Sequence, residues 1–213
     1  MEDDERAGQA GFGRTLALSD GIFAIAMTLV AFQIQAPNLH GKAVHMLATA
    51  LKHEAGSYYV FALTFFVIGG FWMGHHRLFA RIKRVDDRLM AINLVFLAAI
   101  AVLPFPSAVL GRYGGETVSA VLYAANMVVV GGLLGILTLV ARQRHLLAAS
   151  MDPPALRRAL WRSWSLVTVF GASIPVALVA PQVAPYMWIA VLPVQVWFRQ
   201  GGASRRRFDA TPD

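Results

Sequence analysis

"RTLALSDGIFAIAMTLVAFQI", residues 14–34, is long and apolar enough to cross a bilayer, yet an aspartate, Asp20, is set inside it. A spanning helix takes roughly 20 mostly apolar residues. An ionisable group at that depth is costly, so it must turn inward and find partners. At 100° per residue, Leu18, Ile22, Ile25, Leu29 and Phe32 share one narrow stripe, Thr28 flanks it, and Asp20 lies nearly opposite. The stretch therefore predicts a helix with an aliphatic seam on one side and a polar anchor on the other.

The rest of the chain fits a membrane protein. Of 213 residues, 57% are hydrophobic and 15% charged, with mean hydropathy +0.55. A soluble domain carries about 25% charged residues. There is no cysteine, which excludes a disulfide framework and thiolate metal sites. Six apolar stretches have spanning length, at about 15–35, 57–76, 90–111, 117–141, 162–180 and 183–198. Pro175, Pro181, Pro185 and Pro193 interrupt the last two, so four spans plus a re-entrant hairpin is the alternative. The predicted fold is all-α and polytopic, with six transmembrane helices in residues 13–199 and no soluble domain. Residues 1–12 read as a disordered tail and 200–213 as a basic tail, both cytoplasmic. The acidic start has no signal-peptide pattern.

Loop charge gives the orientation. Arg77, Arg81, Lys83, Arg84 and Arg88 follow the second span, and Arg142, Arg144, Arg157, Arg158 and Arg162 follow the fourth. Arg199 and Arg205, Arg206 and Arg207 follow the last. The opposite loops hold only Lys42, Lys52 and Arg112. Both termini are thus expected in the cytoplasm, for a multi-pass protein of the inner or plasma membrane. The net charge of +7 is a topology signal. It does not indicate nucleic acid, because the basic residues flank spans and lack interleaved aromatics. Between the first two spans, Val44, Leu47, Ala48 and Leu51 share a helical face, which predicts a short amphipathic helix on the outer surface. "MDPPALRRAL" predicts a helix with Asp152 as N-cap and proline at its start.

Depth suggests what Asp20 meets. The second span runs back toward the cytoplasm, which brings Trp72, His75 and His76 near the level of Ser19 and Asp20. Asn93 enters the third span at the same level, with Arg14 just below. These seven residues are expected to form one polar cluster. It would serve either as interhelical hydrogen bonding or as a proton relay. Adjacent histidines do not share a helix face, so His75 and His76 do not indicate a metal. Gly131 and Gly135 permit close packing of the fourth span. No cofactor is implied. The spans also lack a nucleophile with its base, which speaks against an enzyme.

"RTLALSDGIFAIAMTL" resembles the R-x-x-x-F-S-D motif and following A-I-x-x-T-L run of the transmembrane protein 175 potassium channels. "FWMGHHRLFARIKRVDDRLMAINLVFLAAIAVLPFPSAVL" resembles that family's W-x-x-H-H, basic-loop, N-L and L-P-F-P segments, and the match covers about residues 10–112. The resemblance implies a homo-oligomer of four chains, six spans each, around a pore for potassium and other monovalent cations that is lined by the first helix. It places the constriction at Ile25, Leu29 and Phe32, and the threonine linked to cation preference at Thr28. Arg14, Ser19 and Asp20 match the motif that ties the first helix to its neighbours. Leu18 replaces the motif's phenylalanine, and Phe32 stands where an aliphatic is usual. From the residues alone, the same stripe would face lipid or another helix; the resemblance points it to a pore, where a ring of aliphatics gates by dewetting. Proton permeation is a further expectation of this reading. The competing one is a proton-coupled secondary transporter using Asp20 with His75 or His76, but no internal repeat of the transporter kind is present.

Overall fold

The computed structural model of the chain describes residues 2–37, 46–148 and 153–189, with side chains from residue 11 onward. Eight helices make up this part: α1 (Glu2–Ala31), α2 (Leu47–His53), α3 (Ala55–Phe79), α4 (Asp87–Val102), α5 (Pro104–Arg112), α6 (Thr117–Gln143), α7 (Pro153–Val179) and α8 (Ala184–Ile189). The described residues contain no strand, only an isolated antiparallel bridge between Ile82 and Leu147. Among the described residues, five segments are long and apolar enough to cross a membrane: Gly11–Ala31, Ala55–Phe79, Asp87–Arg112, Thr117–Gln143 and Pro153–Val179.

Several boundaries move from their expected places. Residues 2–12, expected as a disordered tail, continue α1 as helix. The fifth span starts nine residues early, at Pro153 rather than at 162. Two prolines open α7, where a helix has no use for their missing N–H groups. Arg157, Arg158 and Arg162 therefore sit in its opening turns rather than in a loop. At 27 residues α7 is about 40 Å long, more than one full crossing, and longer than a re-entrant arm. It continues through Pro175. Near that proline the Ser173 hydroxyl donates to the Phe170 carbonyl (2.7 Å) and accepts from the Trp188 indole of α8 (2.8 Å). Beyond Ile189, the expected sixth span and the tail at 200–213 lie outside the described residues, as do Val44 and Asp152.

The third span is one run in the sequence and two helices in the structure. Pro104 and Pro106 bring no N–H, so the carbonyls of Ile100 and Val102 lose their usual donors. The Leu103 amide moves to Ile100 O (3.1 Å), a tighter turn that in turn frees Ala99 O. The amide group of Asn126 on α6 reaches that carbonyl from 3.5 Å.

Apolar burial supplies little drive between helices in lipid, so packing and hydrogen bonds carry the assembly. α6 and α7 meet at the two glycines. A Cβ on Gly131 would stand 3.1 Å from Val167 Cγ2, and one on Gly135 would stand 3.6 Å from the Ser163 side chain. Between α3, α5 and α6, the buried Thr64 hydroxyl lies 3.0 Å from both Ser107 Oγ and Tyr123 Oη. The Tyr123 ring leans on Trp188, with centroids 4.9 Å apart.

The two basic loops are joined to each other. Lys83 N donates to Leu146 O (2.9 Å) and Ala148 N to Arg81 O (2.7 Å). Asp86 accepts from the Leu89 amide, capping α4, and pairs with Arg144. The backbone N–H of Leu89, and then the Arg144 guanidinium, hold the Asp86 carboxyl below the usual carboxylate range against the opposing pull of desolvation. α6 ends in a Schellman turn: Leu146 N donates to Ala141 O and His145 N to Arg142 O. His145 takes the left-handed position there, at φ +54°.

Candidate functional site

α1 packs one face against α3, α4 and α5 and leaves the rest of its surface bare. Thr15, Ser19, Phe23, Ala26 and Val30 recur at i, i+4, i+8, i+11 and i+15, all buried. This face falls between the aliphatic stripe and Asp20 on the helix wheel. The stripe borders it on one side: Leu18, Ile25, Leu29 and Phe32 are exposed, Ile25 at 59% and Phe32 at 80%. Ile22, also expected on the stripe, leans onto the core. Thr28 is exposed as well, with its hydroxyl donating to its own helix at Ile25 O (2.8 Å). Beyond Thr28 the bare surface consists of small residues, Ala17, Gly21, Ala24 and Ala31.

The seven polar residues do not form one cluster. The structure divides them into a buried chain, an exposed pair with a ring beside it, and one side chain apart. Ser19, Asn93 and His75 make the buried chain, each about 1% exposed. The Asn93 amide donates to Ser19 Oγ (3.4 Å), and Ser19 Oγ donates to Thr15 O (2.9 Å). Asn93 Oδ1 lies 2.8 Å from His75 Nε2, so in the tautomer this geometry selects the imidazole donates. Aromatic rings wall the imidazole, with Phe79 at 4.2 Å, Phe96 at 5.4 Å and Phe23 at 5.7 Å. Three helices, α1, α3 and α4, are thereby pinned at one depth.

Asp20 lies on the outer flank of this chain. Its Oδ1 accepts from Trp72 Nε1 at 2.8 Å, and the carboxylate is exposed. The exposed His76 ring sits 5.6 Å from Trp72. Arg14 is exposed and joins neither group. His75 and His76 thus look in different directions, as adjacent residues of a helix must. No group of three metal-ligating side chains occurs among the described residues.

At the other end of α1 the structure shows a contact the sequence reading missed. The Gln33 side-chain amide donates to the carbonyl of Pro104 at 2.6 Å, beside the break in the third span. The signal was weak: "LPFP" announces a break in the third span, and of the two glutamines at the end of the first, Gln33 and Gln35, nothing in the sequence singled out Gln33 as the donor.

Comparison with known proteins gives a consistent result. The profile of the family described as endosomal/lysosomal potassium channel TMEM175 matches residues 14–104. A potassium channel of Streptomyces collinus is 37% identical over 150 residues, 68% of this chain and 72% of its own length. The endosomal/lysosomal proton channel TMEM175 of Danio rerio is 26% identical over 132 residues, 59% of this chain but only 24% of the fish protein. In fold, the crystal structure of a lysosomal potassium-selective channel TMEM175 homologue from Chamaesiphon minutus superposes with a TM-score of 0.74 at 24% identity, over 89% of this chain and 97% of that one. These likenesses, spanning the polar chain, the basic loop and the broken third span, mean that the chain belongs to the TMEM175 family.

Proposed function

We propose that this chain is a subunit of a potassium-preferring cation channel in which four copies of α1 surround the pore. The observation that carries the reading is the uncovered aliphatic stripe on a helix whose adjacent face is fully packed. Lipid alone would accept such a stripe, but lipid gives no reason for the small residues beside it. Ala17, Gly21, Ala24 and Ala31 let a neighbouring copy of α1 approach closely, as small residues do at helix interfaces in membranes. With copies packed along that side, the stripe turns to the axis. Ile25, Leu29 and Phe32 then form three stacked rings, and Thr28 lies at the seam between subunits. The rings hold back ions by refusing to replace their hydration shells. Six spans per chain and cytoplasmic termini complete the arrangement, with α8 beginning the sixth crossing. The Streptomyces relative's name, a potassium channel, supports the cation, and the fish relative's name supports a proton conductance alongside it.

The buried chain works as structure in this reading, and so does the Asp20–Trp72 pair. A transporter relay through Asp20 and His75 fits poorly, because Asp20 is bonded to Trp72 while His75 is bonded into the Ser19–Asn93 chain behind aromatic walls. The test is purified protein in liposomes with a potassium gradient. Flux that grows linearly with driving force supports a channel. Saturable exchange coupled to protons refutes it.

A further inference from the structure

The turn that follows α1 is weakly held by its own backbone. Gln33 N reaches Val30 O at 3.3 Å and Ile34 N reaches Ala31 O at 3.2 Å, long bonds of the i to i−3 kind. Phe32 sits in this turn and is 80% exposed, so its own packing does not fix it. The half-buried Gln33 provides an anchor from outside the turn, its 2.6 Å bond to Pro104 O on a different span. Pro104 opens α5 directly after the break at Leu103, and Asn126 of α6 approaches Ala99 O on the other side of that break. Gln33, just after α1, and Asn126 of α6 therefore hold the third span on the two sides of its break.

We propose that Gln33 is a positioning residue for the outer barrier: its bond to Pro104 O fixes the height and direction of Phe32, so that the outer mouth follows the angle of the broken third span. This rests on the reading that the α1 stripe faces the pore. Loss of the bond frees the turn, and Phe32 then samples several positions around the axis. The inner rings at Leu29 and Ile25 lie about one and two turns away on well-packed helix and are not affected.

The experiment is a double-mutant cycle on the full-length channel in planar bilayers, read as single-channel potassium conductance, with hydrogen exchange at residues 32–34 measured on the same preparations. Gln33→Ala is expected to change conductance by threefold or more and to add open-level noise. In a Phe32→Ala background it is expected to do nothing further. Exchange at 32–34 should accelerate in Gln33→Ala whatever residue 32 is. Gln33→Glu keeps the shape but donates only when protonated. It should behave as Gln33→Ala at neutral pH and return toward wild type on acidification, each compared with wild type at the same pH; a merely steric role would show no such return. If Phe32→Ala changes conductance while Gln33→Ala and Gln33→Glu are silent, the positioning role is wrong and the pore reading stands. An equal Gln33→Ala effect in the Phe32→Ala background also overturns it, since Gln33 would then act elsewhere. If Phe32→Ala is itself silent while exchange accelerates, the tether is real but Phe32 is not in the pore, and the proposal falls with that assignment.

Discussion

Replacing Ile25 by asparagine tests the pore assignment at its centre. Four residues separate Ile25 from Leu29 and three separate Leu29 from Phe32, about 6 Å and 4.5 Å along the axis at 1.5 Å per residue. On the proposed pore, the dry zone in wild type is thus about 10 Å long, several water layers. Ile25→Asn places four amides in the innermost ring and wets it, which leaves roughly 4.5 Å dry. If even 1.4 kcal/mol of the barrier is lost with that ring, conductance rises about tenfold. Preference for potassium over sodium should fall at the same time, because hydrated ions then enter further. The substitution leaves the subunit core intact, since Ile25 is 59% exposed in the single chain, so expression and oligomer yield should stay near wild type. Single-channel recording under bi-ionic potassium and sodium gives both quantities. Wild-type conductance with wild-type reversal potential would show that the stripe faces lipid or protein, and the carried-over constriction would fall with it.

Three further outcomes concern the scaffold. Asn93→Leu strands the buried His75, whose Nε2 loses its acceptor, while Ser19 keeps its bond to Thr15 O, and should destabilise the subunit by about 1–3 kcal/mol, seen as a lower melting temperature in detergent. Asp86 has a lowered folded-state pKa, so the stability it lends the loop clasp is present above its unfolded value near 4 and is lost as pH falls through the folded value. Acid should therefore open the clasp, read as faster exchange at Lys83 and Ala148, and Asp86→Asn should remove that dependence; an unchanged acid profile in Asp86→Asn would refute the assignment. His145→Gly removes a left-handed non-glycine residue and should stabilise the Schellman turn by about 1 kcal/mol, again by melting temperature.

The sequence disclosed periodicity well and lateral geometry poorly. The five described spans were legible because apolar runs of bilayer length have few other readings. The level of Ser19, His75 and Asn93 was legible because rise per residue and alternating direction give depth. What depth cannot give is rotation. Asp20 shares a level with the buried chain, yet about 100° of helix separates it from the buried centre, so it bonds Trp72 instead. The prolines of "MDPPALRRAL" announced a helix start, but the span itself was placed from 162 because Arg157, Arg158 and Arg162 look like loop, whereas long cationic side chains at a span's end reach the interface from within a helix. The break at Leu103 was hidden by an unbroken apolar run. Its two prolines were counted as letters of a motif and not as missing donors.

The buried chain also has a consequence for how the protein is made. Ser19, His75 and Asn93 belong to successive spans, and the ribosome delivers them in that order. Until the third span emerges, His75 has no acceptor at Asn93, and a polar group without a partner in hydrocarbon is unfavourable. α1 and α3 alone are thus an unfinished product, and the bilayer resists letting them drift apart from the insertion site. Arrival of Asn93 completes the bonds and lets three spans leave together as one unit. Fragments truncated before Asn93 should remain bound to insertion machinery or be degraded, and fragments that include it should accumulate as free three-span bundles.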